Sequence, residues 1–335
     1  MTNIQAFAAS AAGTPLEPFE FEAAAPASHE VRVAVSHCGI CHSDLHLLDD
    51  EWRMTKFPFV PGHEVIGHIE ALGSEVQHLG EGQRVGIGWQ SGACMTCEWC
   101  ADAQENLCQK KAATCVGRHG GFASHLTVDS QFAFAIPEQL ASENAAPLLC
   151  GGITVYSPLQ RLNVRHFHRV GIVGIGGLGH LAVQFAAAMG AEVTAFSTSE
   201  SKAELARSLG ATHVVDSTDP AAMKQAKNSL DFILVTATAD LDWRPYINAL
   251  RTNGKMCFVT GARSSVDVPV GVLVNTQKTI TGSTIGGRSV MAEMLDFAAR
   301  NDITAMTEVL PAAQVNEAIE RVRNNDVRFR MVLEM

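Results

Sequence analysis

The chain has 335 residues, of which 47% are hydrophobic and 18% charged, which predicts about two globular domains with sizeable cores. A formal net charge of −10 argues against nucleic acid or an anionic membrane surface as a partner, because either would favour a basic face. The nine cysteines are an odd number, and no secretory leader is evident at the start. We therefore expect a cytoplasmic protein with metal-bound or free thiols rather than a disulfide framework.

Up to about residue 140 the sequence predicts short β-strands, as in a small barrel. Alternating or wholly apolar runs are separated by Gly, Pro and Asn turns, and helical periodicity is scarce. The predicted strands are Val31–Val35, Gly67–Leu72, Arg84–Ile87, Phe122–Val128 and Phe132–Ile136.

A run of chemically active side chains follows the first of these strands. A thiol, two imidazoles, a hydroxyl and a carboxylate occur within six positions, at Cys41, His42, Ser43, Asp44 and His46. Thiolate and imidazole are ligands that zinc prefers, and hydroxyl and imidazole are the groups of a proton relay. On this stretch alone, a metal site and a loop with one buried cysteine are equally good interpretations.

Two further segments carry metal-competent groups whose local pattern decides little. His63 and Glu64 lie at a predicted strand start, where such a pair is more often a surface feature than a site. Cys150 lies between an apolar run and a glycine pair, which is normal for a small buried residue. After Cys150 the pattern changes from short strands to alternating strand and helix.

Four closely spaced cysteines give the most specific isolated signal in the sequence. Two-residue spacers let successive thiolates converge on one tetrahedral ion. Four sulfur ligands leave no open coordination position, so we predict a closed, structural zinc site. Its predicted ligands are Cys94, Cys97, Cys100 and Cys108.

A glycine-rich turn predicts a dinucleotide-binding domain of the Rossmann type. The required order of elements is present: strand Val170–Val173, the turn, helix Leu181–Met189 and strand Glu192–Phe196. The region is nearly uncharged, but this alternation of strand and helix fits it better than a membrane span does. Glycines allow a tight turn and the close approach of a pyrophosphate, which the helix N-terminus then faces. The predicted cofactor-binding residues of the turn are Gly174, Gly176, Gly177, Leu178 and Gly179.

The residues after the second of these strands favour NADPH over NADH. A carboxylate there would bind the ribose hydroxyls of NAD and repel a 2′-phosphate. This chain instead offers three hydroxyls and a lysine, at Ser197, Thr198, Ser199 and Lys202. Such groups suit a phosphate dianion, and Glu200 is the one discordant residue. Ser199 or Ser201 could also cap the helix Lys202–Leu209, since Ser201 and Glu204 form a capping-box pattern, and both interpretations can hold together.

The rest of the pattern completes a six-stranded Rossmann sheet and then returns to the first domain. Strands are predicted at His213–Val215, Asp231–Val235, Lys255–Thr260 and Thr279–Ser283, and a helix at Trp243–Leu250. These are followed by the helix Ser289–Arg300, a strand near Thr307–Leu310, the helix Gln314–Arg323 and the strand Phe329–Leu333. We therefore predict an α/β protein whose first domain comprises residues 1–150 and 289–335 and whose NADP-binding domain comprises residues 151–288.

Together these segments resemble the zinc-containing medium-chain alcohol dehydrogenases. The resemblance runs from about Val31 to the C-terminus and rests on Gly62-His63-Glu64 with Gly67, Gly73 and Val76, on the four cysteines and on the Rossmann glycines, all in the family's order. Residues 39–44, 51–52, 148–155 and 176–180 are most similar to the cinnamyl-alcohol-dehydrogenase-like branch, particularly bacterial NADPH-dependent aldehyde reductases. The resemblance implies a GroES-like β-barrel catalytic domain, a Rossmann doubly wound parallel sheet, two zinc ions per chain, NADPH and a homodimer.

The same resemblance implies roles for single residues. The residues implied to hold a catalytic zinc are Cys41, His63 and Cys150, with Glu64 as a neighbour or transient ligand. Asp44 would orient the zinc-bound imidazole, while Ser43 and His46 would move the proton. The further residues implied to contact the cofactor are His42, Thr154 and Arg330. Trp52 and Trp89 are either pocket walls or plain core residues.

The expected reaction is hydride transfer between NADPH and aldehydes or primary alcohols. A zinc-free quinone reductase is an alternative that the three zinc ligands argue against. A non-catalytic zinc- and nucleotide-binding sensor is another, and it would need a basic face that the net charge does not support. Plant members of the branch carry an aromatic residue soon after Lys110-Lys111, where this chain has Ala112-Ala113-Thr114. Cinnamyl aldehydes are therefore not favoured, and the physiological substrate is left open.

Overall fold

A computed structural model describes residues 1–261 and 265–335, which form two compact units. Unit 1 comprises Met1–Ile153 and Gly286–Met335, and unit 2 comprises Thr154–Ile285. The chain thus leaves the first unit once and returns to it. No helix of the described residues is long and apolar enough to span a membrane.

Unit 1 is built mainly from β-strands. Its strands before the first crossing are β1 (Thr2–Ala9), β2 (Leu16–Ala23), β3 (Glu30–Ile40), β4 (Glu64–Leu72), β5 (Arg84–Ile87), β6 (Gln90–Gly92), β7 (Ala112–Ala113), β8 (His125–Asp129) and β9 (Phe134–Ala135). Its helices there are α1 (His42–Leu48), α2 (Glu98–Ala101) and α3 (Ser142–Ala145), and α4 (Gly151–Arg161) continues into unit 2. After the second crossing come α10 (Arg288–Arg300), β16 (Thr307–Pro311), α11 (Val315–Arg323) and β17 (Arg330–Glu334).

The main sheet of unit 1 has the order β16-β17-β3-β4-β5-β9, with β8 also paired to β3. The C-terminal strand β17 pairs antiparallel with β3, and β3 pairs antiparallel with β4. Alternate residues of these strands point inward and form one core with side chains such as Val33, Ile69 and Met331. The pairing brings the end of β3, the start of β4 and β17 side by side, which sets the position of the site described below.

Unit 2 is a six-stranded parallel sheet with the order β12-β11-β10-β13-β14-β15. Its strands are β10 (Arg169–Val173), β11 (Glu192–Ser197), β12 (His213–Asp216), β13 (Leu230–Val235), β14 (Leu250–Phe258) and β15 (Thr279–Gly282). Its helices are α5 (Gly179–Ala188), α6 (Glu200–Ser208), α7 (Pro220–Gln225), α8 (Arg244–Ala249) and α9 (Val270–Thr276). This order is that of a doubly wound sheet, as predicted.

Three local predictions need correction. Residues 1–30, which gave no strand prediction, form the antiparallel hairpin of β1 and β2. The predicted strand Phe132–Ile136 shrinks to the two residues of β9, because a 3₁₀ turn occupies Ser130–Phe132. The capping box at Ser201 is wrong: α6 begins at Glu200 with Ser199 at the N-cap, and no side chain caps it. Ser201 therefore lies inside the first turn.

Candidate active site

Four side chains from three distant segments meet in unit 1. Cys41 lies at the N-terminus of α1, His63 and Glu64 at the start of β4, and Cys150 between a 3₁₀ turn and α4. The register of β3 against β4, in which Gly39 is opposite Glu64, brings the first two segments together. The potential ligand atoms of the four side chains all lie within 4.8 Å of one another.

The donor atoms of this group fit a zinc ion. The Sγ atoms of Cys41 and Cys150 are 4.0 Å apart, close to the ~3.8 Å expected for two sulfurs at ~2.3 Å from one tetrahedral ion. The Nε2 atom of His63 is fully buried and has no hydrogen-bond partner, which costs free energy unless a metal ion accepts its lone pair. A hydrogen bond with the Cys150 thiol and the charge of Arg330 lower the pKa of Cys41 well below its ordinary value despite burial, which favours the thiolate form that binds metal.

Asp44 holds the His63 ring in position. Its Oδ1 accepts hydrogen bonds from Nδ1 of His63 at 2.9 Å and from the N–H of Gly62 at 3.0 Å, and its Oδ2 accepts from the N–H of Cys41 at 3.0 Å. Asp44 and His63 are both fully buried. In the neutral ring the proton on Nδ1 faces Asp44 and the lone pair lies on Nε2, as a metal ligand requires.

Glu64 forms a buried ion pair with Arg330 of β17. Its Oε1 accepts from Nη2 of Arg330, while its Oε2 is buried without a partner. Burial raises the pKa of Glu64 to about 7, against the opposing charge of Arg330. In this structure Arg330 therefore contacts Glu64, and its implied contact with cofactor stays a prediction.

The implied relay residues lie on α1, beside the four-residue group. Ser43 is half-buried and His42 is exposed on the same first turn. His46 has 37% of its side chain exposed, its Nδ1 lies 3.1 Å from Oε2 of Glu51, and its ring stacks on Trp52 at 5.2 Å. Trp52 meets Trp89 at 6.1 Å and Trp89 meets His63 edge-on at 4.9 Å, so both tryptophans belong to the surroundings of the site.

The four closely spaced cysteines also converge. Three Sγ–Sγ distances, Cys97 to Cys100, Cys94 to Cys108 and Cys94 to Cys100, are 3.5, 3.5 and 3.9 Å, again near the ~3.8 Å of a tetrahedral zinc site. Backbone N–H groups of Thr96 and Cys97 lower the pKa of Cys94 to about 5. No disulfide links the nine cysteines. This donor set fits a closed metal site in what we call the four-cysteine lobe, residues 93–111.

The glycine-rich turn follows β10 at the carboxyl edge of the unit 2 sheet. Gly174 has a φ of +91°, which favours glycine, and a Cβ on Gly179 would lie 1.8 Å from the carbonyl oxygen of Gly174, so helix and strand touch there. A Cβ on Gly176 would meet nothing within 4 Å, which leaves room for a ligand to approach the backbone beside Gly177 and Leu178. The turn therefore fits the pyrophosphate of a dinucleotide.

The predicted phosphate-binding residues divide into two groups. Ser197 is buried, and its hydroxyl donates to the carbonyl oxygen of Ser199 at 2.9 Å, so it shapes the turn. Thr198, Ser199 and Lys202 are exposed after β11, where a ribose phosphate would lie. The discordant Glu200 pairs with Arg207 at 3.2 Å on α6. Thr154 is buried in α4.

Two residues near these sites were missed by sequence reasoning. Cys115 is fully buried with its Sγ within 4.8 Å of donor atoms of Asp44 and His63. Glu105 is buried within the four-cysteine lobe and contacts the start of α10. Neither has a sequence signal, because each contact joins residues that are distant along the chain. Cys38, predicted as a buried thiol, is fully buried.

Comparison with known proteins gives consistent matches. Residues 27–138 match the family described as alcohol dehydrogenase GroES-like domain, and residues 177–300 match zinc-binding dehydrogenase. Aldehyde reductase AdhA of Synechocystis is 41% identical over 330 residues, which cover 98% of each chain. Cinnamyl alcohol dehydrogenase 2 of Rauvolfia serpentina is 41% identical over 96% of this chain and 91% of its own.

Two solved structures share the fold over nearly the whole chain. A cinnamyl alcohol dehydrogenase of Sorghum bicolor has a TM-score of 0.94 and 37% identity, covering 99% of this chain and 98% of its own. The cinnamyl alcohol dehydrogenase of Helicobacter pylori, complexed with NADP(H), has a TM-score of 0.90 and 32% identity with the same coverage.

A GroES-like domain joined to a Rossmann-type parallel sheet, with two clusters of zinc-type ligands, defines a zinc-binding dehydrogenase. The chain belongs to the zinc-containing alcohol dehydrogenase family, and its relatives include aldehyde reductases and cinnamyl alcohol dehydrogenases. It is an enzyme of alcohol and aldehyde oxidoreduction. The predicted fold class and family are thereby confirmed.

Proposed function

We propose that this enzyme is a zinc-dependent aldehyde reductase and alcohol dehydrogenase that uses NADPH, holds two zinc ions per chain and accepts a broad range of aldehydes. The observation that carries the proposal is the buried, unpartnered Nε2 of His63 beside the thiols of Cys41 and Cys150. Three such ligands are the set of a catalytic zinc that keeps one position for substrate, whereas the four-cysteine lobe suits a structural ion.

The residues of the site would divide the chemistry between them. Zinc held by Cys41, His63 and Cys150 would supply Lewis-acid polarisation of the carbonyl oxygen, and NADPH would supply the hydride. Asp44 fixes the ring of His63 through Nδ1. The hydroxyl of Ser43 would donate the proton that the product oxygen needs.

Proton exchange with water would pass through His46. More than a third of its side chain is exposed. Glu51 at Nδ1 and Trp52 on the ring face keep the imidazole on α1. His42 and Arg330 remain proposed cofactor contacts. A panel of aliphatic, aromatic and cinnamyl aldehydes, assayed with NADPH and with NADH, would test the reaction and its substrate range.

The preference for NADPH is supported by the exposed hydroxyls and lysine after β11, and the related enzyme from Helicobacter pylori is complexed with NADP(H). Replacing Ser199 by aspartate places a carboxylate where we expect the 2′-phosphate. Unit charges ~4 Å apart near a protein surface interact by up to ~4 kcal/mol, so the NADPH/NADH ratio of kcat/KM should fall about a hundredfold.

The matched control is Ser208→Asp, which adds the same charge at the other end of α6 and should leave the ratio unchanged. Steady-state kinetics with both cofactors measure the effect. An unaltered ratio in the Ser199→Asp enzyme would show that the 2′-phosphate does not lie at this turn.

A homodimer is supported by the edges of the unit 2 sheet. The edge strand β12 carries His213 and Asp216, charged or titratable groups that discourage pairing, whereas β15 at the other edge has the sequence Thr-Ile-Thr-Gly. On α9, which precedes β15, Val270 and Val274 are 72% and 69% exposed.

The molar mass of the enzyme in solution tests the proposed dimer directly. Light scattering after size exclusion should give twice the chain mass of 35.8 kDa. Val274→Asp should shift the enzyme toward monomer, whereas Phe167→Asp, which changes an exposed side chain elsewhere in unit 2, should not. A monomeric native enzyme would contradict the proposal.

We also place the enzyme in the cytoplasm, because none of the nine cysteines forms a disulfide, as is usual in a reducing compartment. Recovery of the active enzyme from an oxidising compartment in cell fractionation would contradict this.

A further inference from the structure

The four-cysteine lobe and the N-terminus of α10 are joined at one buried carboxylate. Glu105 lies between the ligand-type residues Cys100 and Cys108 and is only 3% exposed. Its Oε2 accepts a hydrogen bond from the backbone N–H of Arg288, the first residue of α10, at 3.0 Å. The Arg288 guanidinium lies 3.6 Å from Oε1. A carboxylate at this position satisfies a helix N–H that has no partner within the helix and complements the helix dipole.

The contact between lobe and helix is too close for any residue but glycine at position 287. A Cβ on Gly287 would lie 2.0 Å from the carbonyl oxygen of Ala103 and 2.8 Å from Oε2 of Glu105. The next residue, Arg288, also donates a hydrogen bond from Nε to the carbonyl oxygen of Gln131 at 2.8 Å. The start of α10 is therefore fixed against the backbone of the lobe.

The next turns of α10 reach the segments that carry the active-site groups. Met291 and Met294 are 5% and 0% exposed. A Cβ on Gly88 would lie 3.2 Å from Cε of Met291, and a Cβ on Gly152 would lie 3.2 Å from Sδ of Met294. Gly88 directly precedes Trp89, which packs on His63, and Gly152 follows Cys150 by two residues. One helix face thus packs against both segments.

A second connection runs from Glu105 through the backbone. The side-chain amide of Gln90 donates from Nε2 to the carbonyl oxygen of Glu105 at 2.9 Å, in a buried position. Gln90 directly follows Trp89, whose own carbonyl oxygen accepts from the N–H of Thr114 at 2.8 Å. Glu105 therefore contacts the Trp89 segment by its backbone and α10 by its side chain.

We propose that Glu105 is a positioning residue through which the four-cysteine lobe sets the location of Trp89, His63 and Cys150. It acts by holding the N-terminus of α10, whose methionines brace Gly88 and Gly152. The proposal rests on the catalytic role proposed above for the site of Cys41, His63 and Cys150, although the contacts themselves do not. The lobe thereby contributes to the geometry of the active site as well as to its own stability.

Hydrogen exchange measured by mass spectrometry on the zinc-loaded enzyme tests the connection without reference to activity. In Glu105→Ala, exchange of residues 286–295 and 86–91 should rise about tenfold, the scale of a lost charge-assisted hydrogen bond, while residues 64–72 stay unchanged. Both zinc ions should remain. The kcat should fall about tenfold with little change in the KM for NADPH, and Glu105→Gln, which keeps an acceptor oxygen, should recover most of it.

Two further variants keep the test decisive. Gly287→Ala displaces the start of α10 while residue 105 remains a glutamate, and it should give the same exchange pattern, so it replaces Glu105→Ala if that variant fails to fold. Glu98→Gln, an exposed change on α2 of the same lobe, should have no effect. Increased exchange confined to residues 94–108, spread evenly over unit 1, or absent altogether would overturn the proposal. Failure of the catalytic assignment would instead appear as full activity in a His63 variant, with the exchange pattern intact.

Discussion

Replacing His63 by alanine is expected to lower kcat/KM for aldehyde reduction by about a thousandfold, because Lewis-acid polarisation contributes several kcal/mol and each ~1.4 kcal/mol is tenfold in rate. The side chain lies in a fully buried position with Nδ1 bound to Asp44, so its removal takes the imidazole donor from that carboxylate and leaves the two thiols without the third ligand. Zinc content measured by mass spectrometry should fall from about two ions per chain to about one.

Cys150→Ser should reproduce both losses, since it removes a different ligand of the same set. The matched control is Cys257→Ser, because Cys257 is also buried, in β14, and its thiol makes a long hydrogen bond, 3.9 Å to the carbonyl oxygen of Phe258. Full activity with only one zinc bound, or activity that survives a strong chelator, would favour the zinc-free reductase that the sequence left as an alternative.

Features encoded within one short segment were predictable from the sequence. The spacing of Cys94 to Cys108 and the strand-turn-helix order around Gly174 each carry their geometry in consecutive residues, and the structure shows converging thiols and the expected turn. Six parallel strands in unit 2 were expected from the alternation of strands and helices, because parallel strands need crossover connections, whereas the doubly wound order was implied only by the family resemblance. The return of the chain after β15 was expected from the elements that remained.

Contacts between distant segments were a different matter. Cys41, His63 and Cys150 could be joined only by resemblance to a family, because the pairing of Gly39 with Glu64 depends on sheet register rather than on either local pattern. The pairing of Glu64 with Arg330 likewise needs β17 beside β3. The contact of Glu105 with α10 joins residues that are distant along the chain, so no local pattern predicts it.

One local prediction failed for a local reason. Ser201 and Glu204 have the spacing of a capping box, yet α6 begins one residue before Ser201. The buried Ser197 hydroxyl bonds to the carbonyl oxygen of Ser199 and accepts its N–H at 3.3 Å, which fixes Ser199 as the residue that precedes the helix. A turn anchored in the sheet therefore overrides a pattern of two exposed side chains.

The four-cysteine lobe should respond to mutation in the opposite way from the active site. Cys97→Ser removes one of four converging sulfurs and should release the metal of the lobe. Loss of a structural metal can reach ~4 kcal/mol or more, and each kcal/mol shifts the Tm of a unit of this size by about 2–4 °C, so we expect a decrease in Tm on the order of 10 °C. The exposed Lys110 and Lys111 should become early sites of tryptic cleavage, because the loops that carry the four cysteines would no longer be joined through one ion.

Calorimetry and limited proteolysis measure this effect, with Cys257→Ser again as the control. An unchanged Tm, or metal retained at the lobe after Cys97→Ser, would contradict the structural role.

His63→Ala and Cys97→Ser together distinguish the roles of the two metal sites. His63→Ala should lose activity with a smaller change in Tm, whereas Cys97→Ser should lose Tm while the protein that stays folded at low temperature keeps its active-site zinc. Because Glu105 connects the lobe to Trp89 in our proposal, the folded Cys97→Ser enzyme should have about the activity of Glu105→Ala rather than that of the native enzyme.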